Sequence, residues 1–196
     1  MSSWIAVRTN QNPHFSEAQK QNNANIIAAY FRGQGWTDNA IAGLLGNMEL
    51  ESYINPAQSE LGSALYNTNY GFGLVQWTGA SRRDFVAWAG SDWETNYNKQ
   101  LYRITYEQQG GYIQWIPVAA YGYMTFDQYA QSTATPEYLV MAFEESYERG
   151  TPLPEVREPL ARKWYNYLQG LPPSPIPGGN LPIWLLFKIR WQNKGR

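Results

Sequence analysis

The chain has 196 residues, a formal charge of −1 and only 16% charged residues, whereas a typical soluble protein carries about 25%. Its surplus lies in 15 Asn, 14 Gln, 15 Tyr, 9 Trp and 7 Phe; clustered Lys/Arg of the kind a phosphate backbone attracts is missing, which argues against nucleic acid as a partner. The absence of Cys removes disulfides, thiolate ligands and a Cys nucleophile, and the single His14 leaves no His-rich zinc site or Ser-His-Asp triad unless it folds back into one.

No positively charged n-region followed by an apolar h-region opens the chain, so no signal peptide is expected over Met1–Arg8. Residues 1–21 read as an N-terminal arm. Polar N-cap candidates from Asn22, then Ile26, Ile27, Tyr30 and Phe31, predict a helix that stops at Gly33-Gln-Gly35. Thr37 caps a second helix, in which Ile41, Leu44, Leu45 and Met48 form a core-facing stripe. Between 53 and 79, Pro56, Gly62, Gly71, Gly73 and Gly79 among aromatic residues predict loops and short hairpin strands.

Helices resume at Ser81–Ala89 and Asn96–Gln108. Thr135-Pro136 then reads as a cap with Pro at the first helical position, leading to Glu148 and a stop at Gly150. A last helix ends at Gln169, with Pro159 expected near its first turn. The fold class is therefore mainly α (α+β), a helical domain over 22–169 with a small β-hairpin or loop element.

Residues 170–180, rich in Pro and Gly, read as a semi-rigid linker, and 181–196 as a basic amphipathic tail. The last 27 residues hold Lys188, Arg190, Lys194 and Arg196 and no acid; the body keeps eleven basic and sixteen acidic residues. The apolar run from Leu181 to Trp191 is shorter than the roughly 20 residues a membrane span requires. Three readings of this tail stay open. It adds as a strand to a partner protein, lies on an anionic membrane or wall polymer, or packs back on the domain. Membrane contact is the least favoured.

With Cys and His chemistry removed, carboxylates are the candidates for catalysis, and no cofactor or metal is expected. At about 100° per residue, Glu51 projects within about 20° of Leu44, on the edge of the apolar stripe. Partial burial and the negative end of the helix dipole both favour its protonated form, which a general acid requires. Glu49, on the other edge, is its rival, and helix geometry does not separate them.

The neighbouring residues do. Glu51-Ser52, Asn55-Pro56 and Gly73-Leu74-Val75-Gln76 resemble the Glu-Ser and Gly-Leu-Met-Gln pattern of goose-type lysozymes and lytic transglycosylases. A longer series resembles the phage tail lysozyme family. It comprises Gly35-Trp36-Thr37, Ile41-Ala42-Gly43, Gly46-Asn47-Met48, Tyr70-Gly71-Phe72-Gly73-Leu74-Val75-Gln76-Trp77, Arg82-Arg83, Gln100-Leu101 with Glu107, and Tyr147-Glu148-Arg149. It covers residues 22–168. Two departures stand out: Gly150 takes a place where proline is expected, and the segment before Tyr70 is longer than usual.

The resemblance implies a lysozyme-like domain that cleaves the β-1,4 bond between N-acetylmuramic acid and N-acetylglucosamine, with Glu51 as general acid. Amides and rings suit a groove for a neutral glycan. Glycosidases usually pair two carboxylates. Glu60 is the leading second candidate, and Asp84 and Glu144 or Glu145 are weaker ones. Without a second carboxylate, the lytic-transglycosylase route is the expected alternative. Ser52 is expected to orient Glu51 or to cap its own helix. Gln76 is expected to line the groove, Gly71 and Gly73 either let backbone approach the sugar or only supply positive φ in a turn, and Tyr70, Trp77 and Tyr147 are sugar platforms or core rings, the core being favoured for Trp77.

The expected setting is a virion tail acting on the host cell wall, with peptidoglycan strands as partner and other tail proteins reached through 181–196. A free endolysin shares the chemistry. A catalytically inactive structural or wall-binding tail protein is the alternative of another class.

Overall fold

The computed structural model describes residues 3–109, 113–150 and 152–170. Except for Gly170, the expected linker and tail lie outside the described residues. The first helix, α1, spans Glu17–Gly33, five residues earlier than the apolar spacing predicts. Ser16 is the reason: its hydroxyl accepts from Gln19 N, and Gln19 returns its side-chain oxygen to Ser16 N at 2.8 Å. This reciprocal cap satisfies two orphan donors ahead of the apolar stretch.

Residues 3–15 are not a free arm but are sewn to the body by amides. Asn23 accepts from Ile5 N and donates to Ile5 O, and Asn55 does the same with Val7. Thr9 adds a parallel bridge to Gln58.

Helix α2, Asp38–Ser52, starts at Thr37 as expected, with the Thr37 hydroxyl accepting from Ala40 N at 3.1 Å. It is buried along nearly its whole length and forms the axis of the fold. Gly43 and Gly46 let other backbones approach it. A Cβ at Gly43 would meet Val140 N at 3.0 Å, and one at Gly46 would meet Ala161 N at 2.9 Å. Helices α3 (Ala80–Ala89) and α4 (Asn98–Gln109) follow, and a short α5 (Phe126–Ala130), not predicted, rests on a Thr125/Gln128 capping box.

Helix α6, Pro136–Phe143, has the expected Thr135 cap and Pro at its first position, but it does not run to Glu148 as α-helix. Residues Glu144–Glu148 form a wider π turn, closed by Arg149 N donating to Glu144 O at 2.7 Å. Helix α7 spans Pro154–Leu168, and Pro159 sits in its second turn, not its first. Helices α6 and α7 both pack on α2.

The expected hairpin strands reduce to isolated bridges between Ser59 and Phe72 and between Phe72 and Trp77. Buried amide side chains take backbone partners that a longer ladder would use. Gln100 accepts from Leu74 N and donates to Pro56 O, and Gln76 donates to Gly73 O. The architecture is mainly α, as the sequence predicts. Its ring content is largely internal: Trp36, Trp115, Phe126, Tyr129, Phe143 and Tyr147 pack in one succession, and Trp77 stacks on Phe85 in another place.

Candidate active site

Glu51 stands in the last turn of α2, and the chain leaves that turn abruptly. Tyr53 and Ile54 both adopt left-handed backbone, φ 58° and 57°. For a β-branched residue such as Ile54 this is strained, at a cost of about 1–2 kcal/mol. Tyr53 N donates to Glu49 O and Ile54 N to Met48 O, while Asn23 of α1 donates to Ile54 O at 2.9 Å. These bonds hold the strained cap and thereby fix the end of the helix that bears Glu51.

Glu51 is only 6% exposed. Arg157 of α7 donates through Nη2 to Glu51 Oε1 at 3.0 Å, and the same nitrogen lies 2.7 Å from Glu144 Oε2 of the π turn. Its other terminal nitrogen donates to Asn47 Oδ1 at 2.5 Å, and the Asn47 amide donates to Val140 O at 2.8 Å. One buried guanidinium therefore joins α2, the π turn and α7. The two carboxyl groups meet across a single guanidinium nitrogen.

The π turn is braced from outside. Ile116 N donates to Ser146 O, Gln114 donates to Tyr147 O, and Arg149 donates to Gln114 O. Gly150 has a local reason to replace the expected proline: any Cβ there would collide with Glu144 Oε1. Proline carries that Cβ.

Glu49, the geometric rival, has a different environment. Lys163 holds both its oxygens at 2.9 Å, Lys20 approaches Oε1 at 2.6 Å, and the Trp164 indole donates to Oε2 at 2.7 Å. Burial, the largest single influence, pushes its carboxyl upward, but the two lysines together bring it below the ordinary carboxylate range. An acid held ionised in this way is a structural anion.

The other expected site residues divide. Ser52 lies beside Glu51 in sequence, yet its hydroxyl faces Met48 O at 2.8 Å and Leu74 O at 3.0 Å, tying α2 to the 71–77 loop. The Glu60 carboxylate accepts from Gly71 N at 2.9 Å and closes the same loop. Gln76, with φ 50° and 6% exposed, donates inward to Gly73 O and Gln58 O. Gly73 takes φ 81°, and a Cβ on it would lie 2.6 Å from Gln100 Oε1.

Trp77 and Tyr147 are core rings, 3% and 1% exposed, so neither offers a face to a sugar. Trp77 stacks on Phe85 at 4.8 Å. Tyr147 stacks on Phe143 and donates its hydroxyl to Glu107, which also pairs with Arg103 at 2.8 Å. Burial pushes the Glu107 carboxyl up against these partners. Tyr70, 38% exposed, remains as an accessible ring. Asp84 belongs to α3 and Glu145 accepts from the Tyr121 hydroxyl.

Arg157 escaped the sequence reading. A signal existed: residues 157, 161 and 164 fall at i, i+4 and i+7, so Arg157 shares the buried stripe of α7 with Ala161 and Trp164. A charge on such a stripe needs a buried partner. The identity of that partner, 106 residues away, is not encoded in the spacing.

Among the described residues, no group of three or more His, Cys, Asp or Glu is arranged to hold a metal ion, and no helix is long and apolar enough to cross a membrane. A helical body around one buried axis, whose last turn presents a glutamate to an arginine, defines a lysozyme-like protein of the mainly α class. Residues 22–168 match the phage tail lysozyme family, and the chain belongs to it. Over 177 residues it is 36% identical to Morphogenesis protein 1 of Bacillus phage B103. That alignment covers 88% of this chain and 46% of the relative, so the chain spans about half of that protein's length. Family membership supports a phage-associated, lysozyme-type function directed at peptidoglycan.

Proposed function

We propose that the chain is a peptidoglycan-degrading glycosidase that cleaves the β-1,4 bond between N-acetylmuramic acid and N-acetylglucosamine, with Glu51 as general acid. In the virion tail it opens the cell wall of the host for entry. The observation that carries this reading is the buried Glu51 carboxyl at the end of the central helix, inside the segment that matches the family.

Glu51 in its protonated form donates its proton to the glycosidic oxygen as the C1–O bond breaks. The muramic C1 then carries the positive charge of an oxocarbenium-like state. Water adds at C1 and its proton leaves to the Glu51 carboxylate, which restores the acid. The product has a reducing muramic end.

A second reading is favoured by the place of Glu144. It is fully buried behind Arg157, so it does not serve as a nucleophile or as a base for an incoming water. In that case the 6-hydroxyl of the muramic residue attacks its own C1, gives its proton to Glu51, and leaves a 1,6-anhydro end. Mass spectrometry of fragments from purified peptidoglycan distinguishes the two, because the products differ by one water. Equal clearing of peptidoglycan by wild type and Glu51→Gln would overturn both.

A further inference from the structure

A general acid beside an arginine poses an electrostatic problem. An unopposed guanidinium at hydrogen-bond distance favours the ionised carboxylate, which has no proton to give. Glu51 is in this position, since Arg157 Nη2 lies 3.0 Å from its Oε1, with both side chains almost completely buried. The same nitrogen, however, is 2.7 Å from a second carboxylate, Glu144, whose side chain is fully buried. One guanidinium nitrogen thus faces two acids.

Burying a net charge in a protein interior is costly, and a buried ion pair is tolerated when its charges cancel. The three groups are neutral together when one proton is shared between the two acids. Glu144 lies closer to Nη2, 2.7 Å against 3.0 Å, and is the better placed to remain the anion. Glu51 stands in the last turn of α2, where the negative end of the helix dipole favours the protonated form.

We propose that Glu144 and Arg157 are positioning residues for catalysis: Glu144 neutralises Arg157, so that Arg157 orients the Glu51 carboxyl without stripping its proton. The proposal rests on the reading of Glu51 as the general acid. The neighbouring charged groups also meet one another. Glu49 of α2 pairs with Lys20 of α1 and Lys163 of α7, which also reaches Glu17; Arg103 of α4 pairs with Glu107; and on the π turn Glu145 meets the Tyr121 hydroxyl, while Glu148 has one buried carboxylate oxygen. From the 71–77 loop the contact to this end of α2 is the uncharged Ser52–Leu74 bond. Asn47 and Gly150 complete the cluster, one receiving Arg157 and the other leaving room for Glu144.

The test is the pH profile of peptidoglycan clearing by the full chain, measured for wild type, Glu51→Gln, Glu144→Gln and the double variant Glu144→Gln/Arg157→Gln. With Glu144 neutral, Arg157 is unopposed, and the basic limb of the profile moves down by about one to three pH units. Removing Arg157 as well restores the balance and brings the limb back toward the wild-type position. A merely structural role gives no such rescue, because two lost contacts disturb packing more than one.

Arg157→Gln alone takes the shared guanidinium from both acids, and its basic limb moves up; this variant carries the test if Glu144→Gln does not fold. A basic limb that stays in place in the folded single variants overturns the proposal. An active Glu51→Gln overturns instead the assignment of the acid, so the two failures are told apart.

Discussion

Glu49 and Glu51 are two residues apart on one helix, both nearly buried, yet their surroundings differ in charge. The Glu49 edge of α2 meets Lys20 of α1 and Lys163 and Trp164 of α7, an excess of cationic and N–H partners around one carboxylate. The Glu51 edge meets one arginine that already serves another acid. Lys163 also reaches the half-exposed Glu17 at 2.8 Å, yet two cations close on Glu49 directly, whereas the guanidinium at Glu51 is shared with a second, fully buried carboxylate. Helix periodicity places both glutamates beside the core and says nothing about these partners.

The most severe way to break the comparison is Glu51→Gln. Clearing of purified peptidoglycan is expected to fall by about 10²–10⁴-fold, with the fold retained in circular dichroism. Glu49→Gln should do the reverse. It removes the anion that Lys20 and Lys163 share, although Lys163 keeps Glu17, and costs about 1–3 kcal/mol in denaturant unfolding, while the folded fraction keeps its activity. If Glu49→Gln abolished clearing in folded protein, the division of roles between the two edges would be wrong.

A pH series sharpens the contrast. The Glu49 carboxyl is depressed in the folded state, so its contribution to stability is complete above the unfolded value of about 4.3 and is lost as pH falls through the folded value. Unfolding free energy of the wild type should therefore decline below about pH 4, and Glu49→Gln should decline less steeply over the same range. Parallel curves would remove Glu49 from the acid sensitivity.

The smallest effect belongs to Glu60→Gln. Loss of its charge weakens the bond from Gly71 N by about 0.5–1.5 kcal/mol and should leave the rate of clearing within a few-fold of wild type. A large fall in rate at unchanged stability would return Glu60 to the role of second carboxylate.

Much of the helical framework is legible in the sequence because caps and periodicity are local. Thr37, Thr135 and Pro136 mark the starts of α2 and α6 at the residues where they begin. The Ser16/Gln19 box is equally local but lies ahead of the apolar stripe, so apolar spacing alone marks the start of α1 too late. The π turn was not legible: its reason is the fit of Glu144 between Arg157 and Gly150, which joins distant segments.

The amides and rings show the same division. Their abundance suggests a glycan groove, yet Asn23, Asn55, Gln58, Gln76 and Gln100 are buried, tying loops to helices or to one another, and Trp77 and Tyr147 fill the core. Composition counts these side chains without saying which way they face.

By itself the sequence determined the mainly α class, the central helix, the lysozyme-type family pattern and the place of Glu51 at the end of an apolar stripe. These follow from short-range spacing and from an ordered set of motifs. The tertiary structure decided which of two neighbouring glutamates is caged by lysines, that Glu144 shares an arginine with Glu51, and that residues 3–15 are tied to the body. Those outcomes depend on charges and amides brought together across 18 to 115 residues of chain, where desolvation makes each missing or surplus partner count.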